Sequence, residues 1–100
     1  MKRLLNCYSS DMMKMDGEML KQAILASEGR TVLTETVVAR EPLLSDITNG
    51  ELASAFGSDM ILLNIFDCDH PFIGGIEECD NPVAKLQEYT GRPVGCNLEP

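Results

Sequence analysis

The sequence predicts an α/β fold in which helices alternate with the strands of a parallel sheet, as in the first part of a (β/α)8 barrel. Two observations carry this. Gly29, Gly57 and Gly91 each follow a helical pattern and precede a short apolar strand, as expected of glycines at helix C-termini. Met60 to Phe66 is a nearly continuous apolar run, and a strand apolar on both faces is the mark of a buried parallel sheet.

The first unit opens at Ser9-Ser10-Asp11 or Asp16, both N-cap sequences. Met19, Leu20, Ala23, Ile24 and Ser27 then recur on one helical face. This predicts a helix over 17–28 and, from the β-branched run that follows, a strand over 31–38. The second unit opens with Thr48-Asn49-Gly50-Glu51, which has capping-box spacing, and predicts a helix over 49–56 and a strand over 60–66. The third opens with Asn81-Pro82, a cap followed by proline at the first helical position. Its helix is expected over 82–90 and its strand over 94–98.

Parallel strands joined through helices use right-handed crossovers, and both an open doubly wound sheet and a (β/α)8 barrel satisfy this. The barrel is favoured because the units run on without a reversal signal or an early glycine-rich phosphate fingerprint. A barrel takes about 250 residues, so residues 1–100 are expected to be the incomplete N-terminal segment of a single barrel domain. Alone, such a segment would wet the inward side chains among Val32, Val37, Ile61, Leu63, Val94 and Leu98. It is then expected to aggregate, to stay molten, or to persist as a homo-oligomer.

Sixteen acidic side chains against eight basic give a net charge of −8. That surface repels phosphate backbones, so neither nucleic acid nor an anionic membrane is expected as a partner. A small-molecule ligand is expected instead, and an anionic one can still be held by backbone N–H groups and a metal. The apolar run after Met1-Lys2-Arg3 breaks at Asn6, short of an export signal. No segment approaches the length of a membrane span. Cys7, Cys68, Cys79 and Cys96 therefore read as reduced thiols of a cytoplasmic protein.

Ligands of parallel α/β folds sit beyond the carboxyl ends of the strands. That rule selects Glu35, Arg40 and Glu41 after the first strand, Asn64, Asp67, Asp69 and His70 after the second, and Asn97 and Glu99 after the third. Asn64 and Asn97 stand out as amides in apolar strands, either structural and satisfied by nearby loops or ligand-binding. Glu35 joins them as a binding candidate, and Asp67, Asp69 and Glu99 are the catalytic candidates. The loop from Asp67 to Asp80 carries carboxylates beside a helix N-terminus, which suits a hard divalent cation such as Mg²⁺ or simply a solvated loop. Cys68, His70, Cys79 and Cys96 lack the paired-cysteine spacing of a zinc finger or ribbon. Gly74-Gly75, with no strand directly before it, reads as flexible loop.

Asp67-Cys68-Asp69 after an apolar run resembles the first motif of haloacid-dehalogenase-like hydrolases. That resemblance implies Asp67 as nucleophile and Asp69 as acid/base. Pro71 stands where that family has threonine or valine, and the motif follows the second strand here instead of the first. Three stretches together also resemble an uncharacterised bacterial family of barrel-like proteins, namely Ala26 to Thr31, Leu62 to Asp67, and Gly91-Arg92-Pro93-Val94-Gly95-Cys96-Asn97-Leu98-Glu99-Pro100. Some of its members are labelled haloacid-dehalogenase-like hydrolase or phosphoenolpyruvate-mutase-like protein. The resemblance covers the whole chain and implies a barrel enzyme, a hydrolase or lyase, with a site built partly from Asn64, Asp67, Asn97 and Glu99.

Overall fold

The computed structural model describes residues 2–98. Helices α1 (Ser9–Met12) and α2 (Gly17–Ala26) precede strand β1 (Leu33–Val37). Then come α3 (Asn49–Ala55), β2 (Met60–Asn64), α4 (Pro82–Thr90) and β3 (Val94–Cys96). The three strands form one open parallel sheet in the order β1-β2-β3.

Each helix begins where its capping chemistry lies. The Asp16 carboxylate accepts from the Met19 N–H at 2.8 Å. Thr48 and Glu51 close a reciprocal box, with the Glu51 N–H on Thr48 Oγ1 at 3.0 Å and the Thr48 N–H on the Glu51 carboxylate at 3.1 Å. Asn81 Oδ1 accepts from the Ala84 N–H, one turn into the helix that Pro82 opens. Gly91 ends α4 with φ of +63°, and a Cβ there would collide with Ser9. Only glycine meets both demands.

Helix α4 has the predicted bounds, 82–90, and the other elements are shorter than the sequence predicts, for local reasons. Helix α2 ends at Ala26 because Ser27 Oγ turns back to the Ala23 carbonyl and accepts from the Leu4 N–H. The chain then turns through Glu28 and Gly29, both at positive φ. Strand β1 starts at Leu33 because the Val32 N–H is taken by the Asp59 carboxylate at 2.8 Å. Beyond β3, among the described residues, the ladder continues through the Asn97 N–H on the Leu63 carbonyl.

Two cores result. Val38, Ile61, Leu63, Ile73, Ile76 and Leu86 fill the space between the sheet and α3 and α4. Leu4, Met12 and Ala23 form a second core with Met60 at its margin. The Ser9-Ser10-Asp11 sequence thus belongs to a separate short helix in which Asp11 accepts from the Tyr8 N–H, and Asp16 alone caps α2. Arg92 ties this N-terminal unit to the sheet, reaching the Ser58 carbonyl at 3.1 Å and Ser9 Oγ at 3.1 Å.

The expectation that β2 is buried on both faces is corrected. Ile61 and Leu63 are 0% exposed, while Met60, Leu62 and Asn64 are only half-buried. Side chains alternate across a strand, and the helices after β1 pack on one face alone. Ile61 and Leu63 therefore do not join the wetted set, whereas Val32 (52% exposed) and Leu98 (87%) do. Gly74-Gly75 is also not a loose loop. The Gly74 N–H donates to the Val38 carbonyl at 2.8 Å, and a Cβ at 74 would strike the Arg40 carbonyl.

Candidate functional site

The face of the sheet turned away from α3 and α4 carries Leu33, Glu35 and Val37 on β1, Met60, Leu62 and Asn64 on β2, and Gly95 on β3, as the register and the alternation of burial require. Toward the carboxyl ends this face becomes polar. Asn64 Nδ2 donates to Glu35 Oε1 at 3.0 Å, and Asn97 Nδ2 donates to Asn64 Oδ1 at 3.4 Å. The three residues expected to bind ligand thus meet in one row crossing all three strands. Among the described residues the amides are bonded from strand to strand. Leu62 and Gly95 lie one side-chain step before Asn64 and Asn97 and floor the row. They were not singled out from the sequence, although the two-residue spacing from each asparagine points to them.

At the end of β2 the backbone turns sharply. Ile65 has φ of +62°, a conformation a β-branched residue adopts only under constraint and one that clusters at functional sites. The turn leads into a groove of about 360 Å³ lined by Ile65, Phe66, Asp67, Cys68, Asn97 and Leu98. Asp67 therefore shares a groove with Asn97. Its Oδ1 accepts from the Asp69 N–H at 2.9 Å, and Oδ2 lies 3.4 Å from His70 Nδ1. The Asp69 N–H, with His70 contributing less, holds the Asp67 carboxyl below its ordinary value of 3.8.

The other candidates stand apart. Asp69 and His70 are exposed and do not line this groove. Glu41 is exposed, and Arg40 lies in a groove beside β1 and α3 that Glu35 also lines. Glu99 lies outside the described residues. Among the described residues no three His, Cys, Asp or Glu side chains gather as a metal site, so neither the acidic loop nor the Cys68–His70–Cys79–Cys96 set assembles as a cage. All four cysteines are free thiols. Cys96 packs against the helix-side core, and its burial pushes the thiol pKa up. No helix among the described residues is long and apolar enough to cross a membrane.

A family model described as "Domain of unknown function (DUF7916)" matches residues 5–100. The chain belongs to the DUF7916 family. No curated protein and no solved structure matches it. The DUF7916 match spans α1 through β3, so the polar row and the Ile65 turn are parts of the family domain itself.

Proposed function

We propose that this chain is the N-terminal part of a (β/α)8-barrel enzyme, a hydrolase or lyase, that binds a small carboxylated or phosphorylated metabolite over the Glu35–Asn64–Asn97 row. The single observation that carries the reading is the row itself. It is a hydrogen-bonded line of polar side chains from Glu35, midway along β1, to Asn64 and Asn97 at the carboxyl ends of β2 and β3, on the face turned away from α3 and α4. In a barrel that face is the interior and that end is the mouth, where active sites are built. Asn64 has a second N–H beyond the one given to Glu35, a donor suited to a carboxylate or phosphate oxygen. The strained turn at Ile65 adds support, since it fixes the direction in which the chain leaves Asn64. Free cysteines fit a reducing, cytoplasmic setting.

The described residues offer a metal one carboxylate in the row, Glu35, well short of the oxygen ligands that Mg²⁺ collects. A second reading has one observation in its favour. Asp67 faces the groove it shares with Asn97, as a dehalogenase-like nucleophile would need. The test is calorimetry and turnover on the full-length protein with a panel of carboxylated and phosphorylated metabolites, with and without Mg²⁺ or Mn²⁺. Ligand binding lost in Asn64→Ala is the expected result. Binding that survives Asn64→Ala overturns the reading. Turnover abolished by Asp67→Asn but not by Asn64→Ala favours the dehalogenase-like mechanism, and binding without turnover a non-catalytic barrel.

A further inference from the structure

The row has a direction, and its direction says what kind of group is missing from it. A carboxylate only accepts, so Glu35 forces Asn64 to present Nδ2, which leaves Asn64 Oδ1 to accept from Asn97. Both amides thus donate along the row toward Glu35, and the row ends on a negative charge. Among the described residues that charge has one partner, the neutral Asn64 amide, and the second Glu35 oxygen makes no hydrogen bond. The ion pairs among the described residues are Lys2–Asp11 and Asp67–His70, neither of which involves Glu35. Arg40, the one lysine or arginine in the loops that follow β1 and β2, lines the groove beside α3 together with Glu35 but forms no ion pair with it.

An exposed glutamate tolerates this. A glutamate covered by ligand and barrel does not, because a charge taken from water needs an opposite charge or several donors. We propose that the ligand of this row carries a primary ammonium group seated on Glu35, alongside its carboxylate or phosphate, and so is amino-acid-like. The inference rests on the row being a binding site. An ammonium supplies both what Glu35 lacks, a positive charge and more than one N–H. A divalent cation fits less well. The amide nitrogens face Glu35 and Asn64 Oδ1 is engaged by Asn97, so the row gives a metal one carboxylate. The absent side chain at Gly95, beside Leu62, leaves room for a short alkyl stem over the floor.

The experiment is NMR titration of the ¹⁵N-labelled full-length protein with ethylamine, L-alanine, lactate and inorganic phosphate, read at the side-chain amides of Asn64 and Asn97. Ethylamine and alanine are expected to move the Asn64 signals saturably. Glu35→Gln should weaken both by about tenfold or more, the worth of a charge-assisted hydrogen bond, while Glu35→Asp retains part of the response. An unchanged backbone spectrum in each variant reads out folding separately. Amine affinity unaltered in Glu35→Gln overturns the proposal. Movement with lactate or phosphate but not with either amine overturns it too, and leaves the row standing as an anion site. Silence with all four probes overturns both the ammonium and the binding site beneath it.

Discussion

Leu63 and Leu62 follow one another on β2, and nothing but the pleat separates their surroundings. Leu63 is 0% exposed among Ile61, Val38 and Leu86, whereas Leu62 is half-buried on a face that holds Glu35, Asn64 and Asn97. The helix face spends its side chains on packing. The open face keeps apolar residues only as a floor and sets hydrogen-bonding groups above it. One strand therefore carries two jobs in alternate residues, and a substitution should report which face it touches.

The largest effect is expected from Leu63→Ala. Removing a fully buried leucine leaves a cavity as well as lost transfer energy, about 2–5 kcal/mol by analogy with other cores. Leu62→Ala should cost less, about 1–2 kcal/mol, since part of that side chain already meets water. Urea denaturation of both variants in the full-length protein checks the ratio. Equal losses would mean that the open face is covered as tightly as the helix face. Gly74→Ala comes next, at about 2–3 kcal/mol, because the new methyl meets the Arg40 backbone carbonyl, which cannot swing away as a side chain can. The loss should appear as faster hydrogen exchange at the backbone N–H of position 74, which is bonded to the Val38 carbonyl.

A smaller effect is local and depends on pH. The Asp67 carboxyl is held below 3.8 mainly by the Asp69 N–H. A carboxyl lowered on folding lends stability above its unfolded value and loses it as pH falls through the folded one. The 67–70 turn should therefore loosen as pH falls below 3.8 and through the lowered Asp67 value. Because Asp67 is largely exposed, the effect should be confined to the turn. Amide shifts of Asp69 and His70 measured against pH read it, and a turn unchanged down to full protonation of Asp67 would contradict it.

Helix starts were legible in the sequence because capping is short-range chemistry. Asp16, Thr48 with Glu51, and Asn81 with Pro82 act within three residues of themselves. Parallel pairing was legible through the apolar run at 60–66. Burial of Leu63 but not of Leu62 was not, because a run of like residues carries no phase, and the choice of face is made by where α3 and α4 pack. The docking of Gly74 and the core of Leu4, Met12 and Ala23 join residues far apart in the chain, beyond any local pattern. Asn64 and Asn97 were visible as amides in apolar strands. Their joining to Glu35 depends on register, which only the paired strands fix. The positive φ at Ile65 had no signal at all, since a β-branched residue is the last to be expected there.

The most direct test of the division between faces is Asn64→Ala in the full-length protein, followed by urea denaturation and by the metabolite panel on the same preparation. Losing two partly exposed hydrogen bonds should cost about 1 kcal/mol, less than half the effect of Leu63→Ala, while every ligand bound by the wild type is lost. A variant that keeps its ligands, or one that unfolds as readily as Leu63→Ala, would contradict the assignment of Asn64 to binding rather than to folding.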